Sequence, residues 1–212
     1  MLTRIREDLW ETQGDKPFPG VTTHAYLWTG GPAGNVLFYS TGSERDFDEI
    51  ERLGGIAHHY LSHRDEAGPM VASIAARFGA RLHAGRADAP SIRVADREVD
   101  WIDERTLEPT GVEVIPSPGH TPGSVCFVVQ GASGQRFLFT GDTLYVDDGG
   151  AWKAGDLSFS DPVTLAQSLD VLAALQPDVA ISSAAPTGVG VHDIDGEWAR
   201  IVRDAKARIR AR

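Results

Sequence analysis

Three short stretches of the sequence place a histidine or an acidic residue directly after an apolar segment. They are LSHRDEAG at 61–68, SPGHTPG at 117–123 and FTGDTL at 139–144. In each stretch a small residue or a proline interrupts the apolar run, so the polar side chain is expected in a loop at a strand end. Strand ends are where a sheet presents ligands to a cleft. The repetition therefore indicates one shared site.

The candidate metal ligands in these stretches are His63, Asp65, His120 and Asp142. Neutral imidazole and carboxylate groups are donors that zinc, iron and manganese accept in proteins. His63 and Asp65 are two residues apart, so on an extended segment their side chains point the same way and can share an ion. The pattern predicts a site for one divalent metal ion, zinc or iron, and leaves open that none binds.

The residues around His120 are suited to hold its imidazole still. Gly119 permits a sharp turn, and Pro118 and Pro122 restrict the backbone on either side. Asp142 follows an apolar run and offers two oxygens at a strand tip. These are the parts of a metal-hydroxide site, in which the pKa of a bound water falls to about 7 and the hydroxide attacks an ester, an amide or a phosphate.

The elements that must position these residues can be read from the apolar pattern. Two strands rich in β-branched and aromatic residues, 22–28 and 35–40, flank a Gly-rich turn and predict an antiparallel hairpin. A strand at 56–62, a helix at 70–79 and a strand at 80–85 follow, and this order predicts parallel pairing. The first polar stretch therefore follows a strand of a parallel unit.

The second half begins with three strands at 112–117, 124–130 and 135–140, which predict an antiparallel meander. A helix within 161–177, a strand at 178–182 and a closing helix at 196–212 complete the chain. The first of these helices has an apolar stripe of Val163, Leu165, Leu169, Leu172 and Leu175. The closing helix has an apolar face of Trp198, Ile201, Val202, Ala205 and Ile209. The order predicts two sheets with helices outside.

Composition limits the classes of protein to which the chain can belong. Its 212 residues, 42% of them hydrophobic, predict one domain over 1–212. We find no apolar run near the roughly 18 residues that cross a bilayer, no signal-peptide pattern at the start, and a single cysteine. A formal net charge of -10 disfavours nucleic acid. We therefore expect a cytoplasmic protein that acts on a small-molecule substrate, with no nucleic-acid or membrane partner, and leave its oligomeric state open.

The stretch PSPGHTPGSVCF at 116–127, followed by LFTGDTL at 138–144, resembles the second half of the metallo-β-lactamase fold superfamily. The opening TTHAYLW and NVLFYSTG look like the first strands of that family, so the resemblance covers nearly the whole chain. The family includes glyoxalase II-like thioesterases, lactonases and other metal-dependent hydrolases. The resemblance implies an α/β (α+β) fold, a four-layer αββα sandwich of two mixed sheets flanked by helices.

The metal ligands depart from the family's pattern. Its first motif is His-x-His-x-Asp-His, and LSHRDEAG supplies one histidine. Aligned from the left, His63 matches the first histidine and Asp65 takes the place of the second. Aligned from the right, Asp65 and Glu66 replace the Asp-His pair. The family's last histidine should lie near AISSAAPTG at 180–188, which has none, and His192 comes too late to substitute.

Three hypotheses follow from this degenerate pattern. The first is a metal-dependent hydrolase of a small ester- or thioester-like substrate, with a reduced metal site of His63, Asp65, His120 and Asp142 and with Asp65 or Glu66 as the general base. The second is a non-catalytic, metal-free relative with a binding or structural role. The third is a non-haem iron redox protein, because an acid at the second position resembles the flavodiiron branch of the family.

Several other residues have a simpler interpretation. Four histidines are expected to be structural, namely His24, His58, His59 and His83. Arg64 could pair with Asp65 or Glu66 and leave a salt-bridged remnant in place of a metal site. Cys126 alternates with apolar residues in a strand, which favours the core. Trp152 lies in a predicted loop that could line a cleft.

Overall fold

The computed structural model describes residues 1–92 and 98–209. The first half contains two helices, α1 (Phe47–Arg52) and α2 (Met70–Phe78), and short strands that precede and follow them along the chain. They are β1 (Thr3–Arg6), β2 (Leu9–Glu11), β3 (Asp15–Phe18), β4 (Val21–Thr23), β5 (Tyr26–Trp28), β6 (Val36–Phe38), β7 (His58–Tyr60), β8 (Arg81–Gly85) and β9 (Val99–Ile102).

The second half carries the helices α3 (Pro162–Ala173) and α4 (Trp198–Lys206). Asp161 caps α3 by accepting hydrogen bonds from the backbone N–H groups of Val163 and Thr164. The strands are β10 (Thr106–Leu107), β11 (Glu113–Pro116), β12 (Val125–Gln130), β13 (Arg136–Gly141), β14 (Leu144–Val146), β15 (Trp152–Ala154), β16 (Val179–Ser182), β17 (Ala184–Ala185) and β18 (Val191–Asp193).

Two large mixed sheets contain most of these strands. One has the order β1-β2-β5-β6-β7-β8-β9 and the other has the order β10-β11-β12-β13-β16-β18. The predicted hairpin is β5 with β6, the predicted parallel unit is β6 with β7 and β8, and the predicted meander is β11, β12 and β13. A small third sheet joins β17 to the β4 and β3 hairpin.

The two large sheets face each other across an aromatic core. Phe38 on β6 stacks on Phe139 on β13 with ring centroids 3.9 Å apart, and both side chains are fully buried. Helices α1 and α2 cover the outer face of the first sheet through residues such as Ile50 and Ile74, whereas α3 and α4 cover the second sheet through residues such as Leu169. The predicted αββα sandwich is confirmed.

Local differences from the sequence-based expectations have clear physical reasons. The run 22–28 is two strands, because β4 leaves the large sheet to pair with β17 while β5 stays in it. Val163 is 67% exposed and does not belong to the apolar stripe of α3, because it lies on the opposite side of the first helical turn from Leu165, which is fully buried. Trp152 lies in β15 and packs against Trp198 with ring centroids 5.8 Å apart, so it does not line a cleft.

The outer helices are short. Helix α4 ends at Lys206, earlier than the predicted helix, and the last three residues of that prediction lie outside the described part of the chain. None of the helices within residues 1–92 and 98–209 is long and apolar enough to cross a membrane.

Histidines 58, 59 and 83 form part of the sheet rather than of the polar stretches. His59 is 1% exposed and its Nε2 lies 2.7 Å from the carbonyl oxygen of Tyr39. His58 Nδ1 lies 3.0 Å from His83 Nε2. Burial, only partly opposed by the hydrogen bond to Tyr39, lowers the pKa of His59 to about 4. The predicted structural role of these histidines is confirmed.

Acidification should therefore destabilise the protein through His59. Above pH 6.5 the imidazole is neutral in both states, but below that value the unfolded chain binds a proton that the native state excludes. Stability should fall between pH 6.5 and pH 4 by up to about 3 kcal/mol from this residue. Urea unfolding at several pH values should show the loss, and His59→Gln, which keeps a donor for Tyr39 but cannot titrate, should show a flatter dependence. Parallel curves for the two proteins would contradict this assignment.

Candidate metal centre

The two large sheets deliver the candidate ligands to one shared edge. His63 follows β7 of the first sheet by three residues, and Asp142 directly follows β13 of the second sheet. His120 lies in the turn that connects β11 to β12. The backbone N–H of Val125 donates a 2.8 Å hydrogen bond to the Ser62 carbonyl, which ties the end of β7 to the start of β12. The sandwich itself therefore brings the three polar stretches together.

The structure brings all four predicted ligands to one place. His63, Asp65 and His120 each offer a donor atom, and these atoms lie within 4.8 Å of one another. Asp142 Oδ2 lies 3.6 Å from His63 Nε2 and 3.9 Å from His120 Nε2. Ligand atoms about 2.0–2.1 Å from a tetrahedral zinc ion are separated by about 3.4 Å. The two separations that involve Asp142 are close to this value, whereas the donor atoms of His63, Asp65 and His120 would move closer together around an ion.

His120 has the arrangement expected of a metal ligand. Its Nδ1 lies 2.8 Å from the Gly155 carbonyl oxygen, which makes Nδ1 the protonated nitrogen and leaves a lone pair on Nε2. Nε2 is buried and has no hydrogen-bond partner among the residues that the structure describes. Burial, with a smaller contribution from neighbouring His63, lowers the pKa of His120. The imidazole is therefore neutral and free to coordinate.

Gly119 is required for this placement of His120. Its φ of +132° lies in a region that L side chains rarely adopt. A Cβ at this position would also lie 2.3 Å from the backbone of Leu165, in the first turn of α3. The predicted role of the glycine as the point of a sharp turn is confirmed by this close approach.

His63 is oriented by its neighbours on the short helical turn that follows it. Its Nδ1 lies 3.0 Å from Ser62 Oγ and 3.3 Å from Glu66 Oε1, so Nε2 points towards Asp142. Burial opposes protonation of His63, but the carboxylates of Asp142 and Glu66 outweigh it and raise the pKa to about 9. A cation is thus strongly favoured at this position, as a proton on His63 or as a metal ion.

Asp142 is held by hydrogen bonds from the segment where the family's last histidine was expected. Its Oδ1 accepts a hydrogen bond from the Ser183 hydroxyl, while Oδ2 faces the two histidines. Burial alone would raise the pKa of Asp142, but His63, His120 and the Ser183 hydroxyl lower it. Ser183, which sequence reasoning noted only as a non-ligand, therefore orients the aspartate.

Asp65 and Glu66 have different environments. The Asp65 side chain is 55% exposed and reaches the candidate metal position. Both oxygens of Glu66 accept hydrogen bonds from Ser62, one of them at 2.7 Å from its backbone N–H. Glu66 therefore faces Ser62 and His63, and the left-hand alignment, in which Asp65 takes the place of the second histidine, fits the geometry.

Arg64 does not replace a metal ion through a close ion pair. Its Nε lies 3.8 Å from Asp65 Oδ1, a long contact between exposed groups that contributes little. The guanidinium instead packs 5.5 Å from the centre of the Phe159 ring. These contacts do not support the alternative in which an ion pair of Arg64 with Asp65 or Glu66 replaces the metal site.

Asp88 connects the two ligand loops and was missed from the sequence. Asp88 is buried, with 1% of its surface exposed. One carboxylate oxygen accepts hydrogen bonds from the backbone N–H of Arg64 at 3.0 Å and from Thr121 Oγ1 at 2.6 Å, and the other accepts from the Gly123 N–H at 2.9 Å. No local pattern around Asp88 could have revealed this role, because all its partners are distant in sequence.

A cavity of about 560 Å³ opens over three of the four candidate ligands. His63, Asp65 and Asp142 line its floor, and the β3 and β4 hairpin supplies part of its wall. His24, which was expected to be only structural, also lines this cavity. The hairpin carries Phe18, which is 69% exposed, to the mouth. A cavity of this size accepts a small organic molecule.

Comparison with known proteins finds a matching family model and several named relatives. A family model described as the metallo-beta-lactamase superfamily matches residues 48–184. The hydroxyacylglutathione hydrolase of Brucella anthropi is 35% identical over 124 residues, which is 58% of this chain and 43% of that enzyme. The corresponding enzyme of Brucella ovis is 34% identical, with 58% and 44% covered. The matched segment thus spans less than half the length of these curated relatives.

Solved structures share the fold at low sequence identity. A metallo-β-lactamase superfamily protein from the archaeon Sulfolobus tokodaii superposes with a TM-score of 0.70 at 14% identity, covering 95% of this chain and 85% of that one. A metallo-β-lactamase with a HARLDQ motif from Cronobacter sakazakii gives 0.64 at 20% identity, with 92% of each chain covered. At these identities the likeness concerns the fold alone.

Proposed function

Since the chain belongs to the metallo-β-lactamase superfamily, we propose that it is a metal-dependent hydrolase of a small ester or thioester. One divalent ion would be held by His63, Asp65, His120 and Asp142. The observation that carries this proposal is the buried Nε2 of His120, which lacks a hydrogen-bond partner in the described part of the chain. A buried imidazole acceptor left without a partner is costly unless something binds it.

One ion is favoured over two by the residues that surround the cluster. Ala67 stands where the left-hand alignment expects an aspartate, and Gly68 stands where it expects a histidine. Ser183 lines the same cavity in place of the last histidine. These side chains offer no imidazole or carboxylate, so the four remaining donors suffice for a single ion, which would need one further coordination position for a water.

The roles of the residues follow from their contacts. A divalent ion bound there would supply a Lewis acid and an activated water. Asp65 is the exposed carboxylate of the cluster, and an oxygen not used for binding the ion can accept the proton of the attacking water. Glu66 and Ser62 fix the His63 ring, and the Gly155 carbonyl fixes the His120 ring. Glu66 is therefore assigned a positioning role rather than that of the base.

The substrate class rests on the cavity and on the relatives. The cavity wall away from the ligands includes apolar residues, among them Phe18, Pro69 and Met70. Relatives of known name are hydroxyacylglutathione hydrolases, enzymes whose name denotes a thioester substrate. These two features support a small acyl thioester as the substrate, bound as a free small molecule rather than as part of a nucleic acid. A cytoplasmic location remains our expectation.

Added metal should stabilise the chelator-treated protein. A ligand that binds only the native state at a free concentration 100-fold above its Kd adds about 2.7 kcal/mol. For a chain of this size the Tm should rise by about 5–10 °C. Thermal unfolding with zinc, and anaerobically with ferrous iron, measures the shift, and elemental analysis of protein purified without chelator identifies the metal.

The matched variant for this measurement is His63→Ala, in which the rise should disappear. An unchanged Tm of the wild-type protein with both metals would reject the proposal and favour the metal-free relative. A coloured, iron-loaded protein without hydrolytic activity towards thioesters would favour the redox alternative.

A further inference from the structure

Two buried polar atoms in the cavity wall lack partners, and neither belongs to the candidate metal ligands. His24 is 9% exposed, and its Nε2 has no hydrogen-bond partner among the residues with described positions. The same is true of Ser40 Oγ. Both residues line the cavity that contains His63 and Asp142. Buried polar groups are satisfied in most native proteins, so two such atoms in one cavity indicate a ligand.

The His24 ring is oriented by the residue that follows β2. Its Nδ1 lies 2.9 Å from the carbonyl oxygen of Thr12, an acceptor, so Nδ1 carries the proton. Nε2 therefore presents a lone pair and requires a donor. A Cβ at Gly14 would lie 3.2 Å from Nε2, so the glycine keeps the space beside this atom open. His24 is arranged to accept a hydrogen bond from a group in the cavity.

Ser40 is held at its position by a constrained neighbour. Tyr39 has a φ of +67°, the one positive value at a non-glycine residue in the described chain. Its carbonyl oxygen lies 2.7 Å from His59 Nε2, and its hydroxyl donates to the Ile181 carbonyl at 2.7 Å. The Gly141 N–H in turn donates to that hydroxyl at 2.9 Å. These contacts maintain a strained conformation that places Ser40 in the cavity wall.

His24 and Ser40 lie beyond the same end of the β5 and β6 pair. The last registered pair of β5 and β6 at this end is Tyr26 with Phe38. His24 precedes the first of these by two residues, and Ser40 follows the second by two. The two residues therefore lie opposite each other, just beyond the paired ends of β5 and β6.

We propose that His24 and Ser40 form a polar subsite that binds a hydroxyl group of the substrate, an inference that rests on the proposed hydrolase function. A hydroxyl can donate to His24 Nε2 and accept from Ser40 Oγ at the same time, which satisfies both orphan atoms. An amide N–H can satisfy the first but cannot accept from the second. A substrate without the hydroxyl leaves both atoms unpaired, and such sites discriminate strongly against it.

The test uses two thioesters that differ only by a hydroxyl group on the acyl chain, with the hydroxyl placed at C2 in one series and at C3 in another. The wild-type kcat/KM should favour the hydroxylated compound of one series by about tenfold. In His24→Leu and in Ser40→Ala the ratio should fall towards one, because kcat/KM for the hydroxylated compound falls more than kcat/KM for the unhydroxylated compound. The two variants are tested separately, so that a folding defect in one of them leaves the other as a valid test.

Thr41→Val is the matched control, because Thr41 lines the same cavity but its hydroxyl is already hydrogen-bonded to Ser43. It should leave the ratio unchanged. No preference in the wild-type protein would overturn the subsite. A preference that persists in both variants would also overturn it, because the hydroxyl would then be recognised at the metal position.

Binding to chelator-treated protein separates this inference from the proposed function. Calorimetric titration with the same compounds, under conditions without turnover, should show about tenfold tighter binding of the hydroxylated compound to the wild-type protein and equal binding to His24→Leu. Discrimination in binding without any metal-dependent hydrolysis would keep the subsite and reject the hydrolase. Hydrolysis without discrimination would reject the subsite alone.

Discussion

Replacing His120 with alanine should lower kcat/KM for thioester hydrolysis by about three orders of magnitude and remove the stabilisation by metal. His120 supplies the buried, neutral Nε2 that has no partner within the described chain. Its loss leaves three donors, one of which is largely exposed Asp65. A bound metal contributes several kcal/mol to the transition state, and each 1.36 kcal/mol corresponds to tenfold in rate.

His192→Ala is the matched control for this prediction. His192 Nε2 is also buried without a partner in the described residues, but the ring packs against Trp152 with centroids 5.2 Å apart, away from the cavity. Its replacement should leave metal binding and activity within about threefold of wild type. Metal content, the Tm shift with zinc and thioester hydrolysis should be measured on both variants. Full activity of the His120→Ala protein would reject the metal centre as the catalytic site.

Replacing Asp88 with alanine should destabilise the protein by at least about 3 kcal/mol and weaken metal binding. The carboxylate accepts three hydrogen bonds from two loops, and each bond to a charged acceptor contributes about 1.5–3 kcal/mol. The Tm should fall by about 10 °C. Because these loops carry His63 and His120, metal affinity should decrease by about 10–100-fold.

Two further variants make the Asp88 measurement specific. Asp88→Asn keeps the shape, but each oxygen of the native carboxylate faces a backbone N–H, so the amide NH₂ must oppose a donor and stability should still fall. Asp103→Ala removes an exposed carboxylate that pairs with Arg86, and it should cost less than about 1 kcal/mol. Urea unfolding of the three variants gives the comparison. A free energy of unfolding for Asp88→Ala within 1 kcal/mol of wild type would contradict the role of Asp88 as a connector.

The sequence predicted the fold and the convergence of the four candidate ligands because both depend on local patterns. Continuous apolar runs locate buried strands such as β12, and the Pro-Gly-His-Thr-Pro-Gly turn predicts a histidine held in a fixed position. The order of strands and helices limits the topology to few arrangements. His63 and Asp142 could therefore be expected at neighbouring strand ends without any knowledge of their contacts.

Most of the missed features depend on partners far along the chain. Asp88 contacts Thr121 and Gly123, 33 and 35 residues away, and Ser183 contacts Asp142 across 41 residues. The role of Glu66 could not be separated from that of Asp65, because only the turn after His63 shows which carboxylate faces Ser62. His24 was interpreted as structural since nothing in its neighbourhood reveals the cavity that Ser40 and the hairpin close around it.

The candidate ligands come from both sheets, which has a consequence for the whole sandwich. His63 and Asp65 follow the first sheet, whereas His120 and Asp142 belong to the loops of the second. A bound ion would join two halves of the chain at their common rim in the native state, and its binding free energy would add to the free energy of unfolding. Loss of the metal would then weaken the packing of the two sheets against each other before it affected either sheet alone.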